Sequence, residues 1–234
     1  MDIPLPEYEP FNTKVIFYRI PKNASTSVYE HLGNCNYIKE RESCINKNAD
    51  QKLYKGWYSP THLKPCDFKK IIGANIDRYY SFCIVRNPWD RVVSMYKFAQ
   101  KYQLYKLYDL KENTSFIDFC KILEERCDDP YFIASNKQVE WANGEYEPKR
   151  IIRFENLQDE FCEMVKDLNL FGVGYDLPHE NKTKHRHYSH YYNSETKKII
   201  NKIFEEDIDC FKYSFEKEKI NTLDKTSDIG KLKL

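Results

Sequence analysis

No run of this 234-residue chain is apolar for long enough to cross a membrane. Its opening residues, MDIPLPEYEPF, are acidic and broken by prolines, without the apolar stretch that a secretion signal requires. These absences predict a cytoplasmic protein in a reducing compartment. Net charge is missing too: 37 Lys and Arg against 36 Asp and Glu leave a formal +1. Nothing therefore pulls the whole molecule toward nucleic acid or a membrane surface, and any basic site must be local. None of the eight cysteines falls in a C-x2-C pair, which argues against a structural zinc ribbon. FCIV and DFCKIL instead set Cys83 and Cys120 in apolar patterns typical of buried free thiols. There is no internal repeat or low-complexity tract, and no signal for an oligomeric state.

Apolar residues at 41% and aromatics at 15%, with 19 Tyr and 14 Phe, are enough for a real core and exclude a disordered chain. The expected layout is one domain over residues 1–215, followed by a polar tail at 216–234 that should fray. KVIFYR (14–19), SFCIVRN (81–87) and RIIRF (150–154) have strand composition, and the second is apolar enough to be buried on both faces. Each runs into a helical pattern: STSVYEHL, then PWDRVVSMYKFAQKY with Asn87 and Pro88 as cap and first residue, then NLQDEFCEMVKDLNL. Further helices are expected at 115–126, around 131–142 and over 194–211. Strand–helix pairs recurring three times predict an α/β domain with a mainly parallel sheet, whose ligands bind at the carboxyl ends of the strands.

Two strand-to-helix turns fall at such ends. In RIPKNASTS (19–27), Lys22 and three hydroxyl side chains sit where a helix N-terminus offers unpaired N–H groups, a ready anion site. In IVRNPWDRVVSMY, Arg86 ends a buried strand where its fork can hold a phosphate, and Ser94 lies nearly two helical turns beyond Asn87, on the same side. The plainer alternatives stay open: a capping Asn23 or Ser25 with a solvated Lys22, and an Arg86 paired with Asp90 while Ser94 packs. The Walker pattern G-x4-G-K-[ST] is absent, which counts against a kinase.

Taken together and in this order, the two turns resemble those of the sulfotransferase family, closest to its carbohydrate (Golgi-type) branch and the bacterial and viral relatives of that branch. RFENL, LPHENKTK and the late DIDCFKYSF carry the same resemblance, which spans residues 14–215. It implies a P-loop-like, three-layer fold with helices flanking the sheet. It also implies the donor 3′-phosphoadenosine 5′-phosphosulfate (PAPS), the product 3′-phosphoadenosine 5′-phosphate (PAP), and a hydroxyl-bearing acceptor, expected to be a carbohydrate. Carried over, Lys22 contacts the bridging oxygen of the leaving phosphate. Asn23, Ala24, Ser25, Thr26 and Ser27 form the loop around that phosphate, and Arg86 with Ser94 holds the 3′-phosphate. Relatives often carry glycine after the lysine where Asn23 and Ala24 stand here; asparagine is expected to tolerate the left-handed backbone angles involved.

A sulfonate donor has no γ-phosphate, so no metal is required in principle. The acceptor hydroxyl needs a general base, and His62 in SPTHLKP is the candidate, with Glu30 or His31 as substitutes. Lys182, Thr183 and Lys184 in the basic stretch KTKHRH are expected over the nucleotide, or else in a solvated loop. His185, His187 and His190 lack a nearby acidic or cysteine partner for zinc, so no metal site is assigned. Trp57 and Trp89 are expected in the core rather than stacked on adenine. A kinase and a catalytically silent glycan-binding relative remain the competing functions.

Overall fold

The structure is a computed structural model that describes residues 15–33, 62–72, 77, 79–106, 108, 110–129, 132–170, 174, 177 and 186–217. Three strands, β1 (Val15–Tyr18), β2 (Tyr80–Val85) and β3 (Arg150–Arg153), form an open sheet in the order β1-β2-β3, parallel throughout. Val15 pairs with Tyr80 and Tyr18 with Cys83, while Phe82 pairs with Arg150 and Val85 with Arg153. All three carboxyl ends consequently lie along one rim. β2 is the centre of the sheet, and Ser81 to Val85 are all buried, as its unbroken apolar run requires.

Alternation along the strands feeds two cores. On one face Phe17, Phe82, Ile84 and Ile152 meet Val28 and Leu32 of α1 (Ser25–Gly33) and Phe161 and Met164 of the helix Leu157–Asp167. Phe17 and Phe82 stack across neighbouring strands at 4.6 Å and 6°. On the other face Ile16, Tyr18, Cys83 and Val85 meet Leu63, Trp141 and Phe211. Helices on both faces of a parallel sheet make the α/β, P-loop-like, three-layer arrangement expected from the sequence.

Numbered in chain order, the helices after α1 are α2 (Pro65–Ile72), α3 (Pro88–Lys101), α4 (Phe116–Glu125), α5 (Val139–Ala142), α6 (Leu157–Asp167), α7 (Ser194–Ile203) and α8 (Glu205–Phe211). α3, α4 and α7 enclose a third core around Phe119, Leu123, Ile200 and Phe204. The caps are local: the Asn87 side chain accepts from the N–H groups of Trp89 and Asp90, and Ser115–Asp118 and Asn193–Thr196 form capping boxes. No helix among the described residues is long and apolar enough to span a membrane.

Two expectations need correction. Of the stretch expected around 131–142, the described residues are helical only over Val139–Ala142, because the buried residues before that are held in turns, with Ser135 Oγ donating to the carbonyls of Arg126 and Phe132. The amphipathic run 194–211 is two helices. Phe204, fully buried, leaves the helical path at φ −110° and ψ 27° to drive its ring into the third core. The six described cysteines are free thiols, and Cys83 and Cys120 are buried as their patterns predicted. Burial pushes the Cys120 thiol up to about 12 and the Cys83 thiol higher still, so both stay protonated.

Candidate active site

The chain leaves β1 at Tyr18 and reaches α1 through a loop whose backbone handedness alternates. Lys22 sits at φ +69° and Ala24 at φ +55°, while Asn23 between them does not take a positive φ. Alternation of this kind is the backbone pattern of an anion nest, and here it runs straight into the N-terminus of α1, with the Asn23 N–H given to the Ile20 carbonyl (3.4 Å) and the Val28 N–H to that of Ala24 (3.2 Å). Ser25 and Ser27 are buried and Thr26 half-buried at that opening. The left-handed positions are therefore Lys22 and Ala24, not the asparagine expected to take one. Asn23 instead turns inward. Its side chain is wholly buried, and Nδ2 donates to the carbonyl of Ile84 (2.6 Å) and to Gln138 Oε1 (2.7 Å).

Lys22 Nζ lies 3.4 Å from the centroid of the Phe98 ring on α3. Burial, with the positive charges of Arg86 and Lys101 adding to it, lowers its pKa to about 7. Phe98 in turn packs on Tyr102, ring centroids 4.7 Å apart, and Lys101 Nζ stands 4.9 Å from the Tyr102 ring. Asp90, Ser94, Phe98 and Tyr102 follow one i, i+4 ridge of α3 and its cap, so hydroxyl and aromatic rings share one side of the helix.

Arg86 ties the turns together. Its Nη1 donates to the carbonyl of Lys22 (2.9 Å), and its guanidinium lies 4.0 Å from the Phe154 ring just past β3. Nε donates to Asp90 Oδ2 (2.8 Å) and Nη2 stands 2.7 Å from the same oxygen in an ion pair, so the pairing with Asp90 that the sequence left open is present. Ser94 is buried two turns along α3. Trp89 belongs to the core: Nε1 donates to Asn201 Oδ1 and the ring meets Phe215 edge-on.

His62 Nδ1 is 2.7 Å from the carbonyl of Arg19, three residues before Lys22. A carbonyl only accepts, so Nδ1 carries the proton and Nε2 is the basic nitrogen of the neutral ring. His31 is placed elsewhere. Its Nε2 donates to the Gly174 carbonyl (2.6 Å) and its ring packs on Phe161, at the far end of α1. The side chain of Glu30, the residues Trp57 and His185, and the candidates Lys182, Thr183 and Lys184 lie outside the described residues. His187 caps a short turn, its Nδ1 accepting from the Ser189 hydroxyl (2.9 Å). Among the described residues no cluster of His, Cys, Asp and Glu could hold a metal ion.

Residues 9–214 match the sequence profile of the sulfotransferase family. The chain belongs to the sulfotransferase family. Neither a curated protein nor a solved structure matches it. Sulfuryl transfer is the chemistry of that family.

The sulfotransferase also holds a buried polar cluster that sequence reasoning missed. Gln138, Arg91 and Asp207 are all fully buried beneath the lysine loop. Asp207 accepts from the N–H groups of Gln138 (2.9 Å) and Val139 (3.0 Å), and Arg91 Nη1 stands 4.0 Å from its carboxylate. Burial raises the Asp207 pKa and lowers that of Arg91 to about 10, each group holding back the shift of the other. Arg91 Nε donates to the Pro21 carbonyl (3.1 Å) and Nη1 to that of Asn136 (2.9 Å). Arg91 stands inside the motif IVRNPWDRVVSMY, so it could have been found; a single glutamine in a turn-rich stretch carries no such signal.

Proposed function

We propose that this sulfotransferase transfers the sulfuryl group of PAPS to a hydroxyl of a carbohydrate. The observation that supports it most directly is the bond from Arg86 Nη1 to the Lys22 carbonyl, which joins the lysine loop and the arginine turn at the ends of adjacent parallel strands. A donor with a phosphate at its 3′ end and a phosphosulfate at its 5′ end needs two anion sites at such a fixed separation. The nest at Lys22–Ala24 and the N-terminus of α1 suit the 5′ group, and Arg86 with Ser94 suits the 3′ group. Two of the five N–H donors of Arg86 are hydrogen-bonded, one to Asp90 and one to Lys22, and the others on Nη1 and Nη2 suit an incoming phosphate.

In the transfer the acceptor oxygen bonds to sulfur as the bond from sulfur to the bridging oxygen breaks. The acceptor proton passes to His62 Nε2, and the charge that develops on the departing phosphate is met by Lys22, where an electrostatic donor is most effective. No step calls for a metal. The carbohydrate acceptor is supported by the aromatic pair beside Lys22: Tyr102, at 42% exposure, offers a sugar ring a stacking surface next to Phe98.

Titration with PAP, ADP and ATP, with and without magnesium, followed by a product assay with PAPS and a panel of glycans in the presence of chelator, tests the reading. PAP should bind tightest without magnesium, and a glycan should gain the mass of one sulfuryl group. Lys22→Ala should abolish turnover and Arg86→Ala should mainly weaken PAP binding. Preference for ATP with magnesium, or near-normal activity of both variants, would overturn it.

A further inference from the structure

We infer that Gln138 is a positioning residue that sets the spacing between the two anion turns, and with it the preference for a ligand bearing a phosphate at each end; this rests on the donor proposed above. Its carboxamide grips both turns. Oε1 accepts from Asn23 Nδ2 in the lysine loop (2.7 Å) and from the Arg86 backbone N–H (2.8 Å), while Nε2 donates to the Arg86 carbonyl (2.8 Å). Arg86 thus has both backbone groups paired by one side chain, as a neighbouring strand would pair them. The glutamine extends the sheet by one residue just where β2 ends and the site begins.

Gln138 is itself held. Asp207 takes its N–H, Arg91 faces Asp207, and Arg91 Nε returns to the Pro21 carbonyl on the other side of the lysine. The path Pro21–Arg91–Asp207–Gln138–Asn23 closes a ring of buried polar groups around Lys22. With no exposed surface, Asn23, Gln138, Arg91 and Asp207 do not reach a ligand through their side chains. What the ring controls is where the loop stands relative to Arg86. Two phosphates on one molecule gain over one only when their sites are correctly spaced, since the second contact is then intramolecular. Loosening the ring should remove that gain and leave each turn able to take a single phosphate.

The test is titration of the full chain with PAP, adenosine 5′-monophosphate and adenosine 3′-monophosphate, comparing wild type with Gln138→Met, which keeps the length and loses every side-chain hydrogen bond. Wild type should prefer PAP over either monophosphate by about 100-fold, and Gln138→Met should lose about tenfold of that preference while its affinity for each monophosphate stays within about threefold. A purely structural role would lower the melting temperature and leave the ratio unchanged, and an unchanged ratio overturns the inference. If Gln138→Met does not fold, Asp207→Asn, which weakens the hold on Gln138, must shift the ratio in the same direction. A wild-type chain with no preference for PAP overturns the donor proposal first and this inference with it.

Discussion

Lys22 is held where an ammonium group is poorly solvated, and that has opposite effects on folding and on chemistry. Its pKa is about 7 in the folded chain against 10.5 ordinarily, so between those values the unfolded chain keeps a proton that the folded one has lost. Stability therefore rises with pH across that window, and below it the buried charge opposes folding in full. Lys22→Met should raise the melting temperature more at pH 6 than at pH 9 and reduce turnover by about 100-fold or more. Thermal melts at both pH values with a parallel rate assay check this, and an equal or negative shift at pH 6 would refute it. Lys22, Arg86 and Ser94 were legible as candidates because each belongs to a contiguous motif. The inward turn of Asn23 was not, since its partner Gln138 lies 115 residues away. The Arg86–Asp90 pair was legible as an alternative because an i, i+4 relation is local.

At the scale of elements, strands declared by unbroken apolar runs and helices declared by caps were placed to within a residue or two. β2 and α3 are the clearest, since Val85, Arg86, Asn87 and Pro88 announce strand end, turn, cap and first helical residue in sequence. Interruptions were hidden. Phe204 occupies an apolar position of the helical repeat, so periodicity reads through it, and only the third core shows why the helix stops there. Phe204→Ala should cost about 3–5 kcal/mol, the range for a large aromatic removed from a packed interior. Chemical denaturation measures it, and a loss under about 1 kcal/mol would mean that the ring does not anchor the junction of α7 and α8. The short α5 was illegible in the same sense. Its start is set by the Asp207 carboxylate receiving the N–H groups of Gln138 and Val139, a cap supplied from 68 to 69 residues downstream.

For the whole molecule, a charge near zero leaves ligand binding to local groups, so occupancy should register as stability. PAP at about 100 times its dissociation constant should add about 2.7 kcal/mol, or roughly 5–10 °C in melting temperature for a chain of this size, and magnesium should add nothing further. A shift that requires magnesium would contradict the metal-free reading. The sheet and site are also assembled from distant parts of the chain: β1 pairs with β2, β2 with β3, and the cluster under the lysine loop is completed only by Asp207. This has a consequence for the order of manufacture. On a ribosome adding about 5–20 residues per second, Lys22 emerges roughly 10–40 s before the aspartate that completes the ring around it. During that interval Gln138 lacks the carboxylate that receives its N–H, so a message broken ahead of codon 207 yields a polypeptide with all three strand segments but without that hold on the glutamine under the lysine loop.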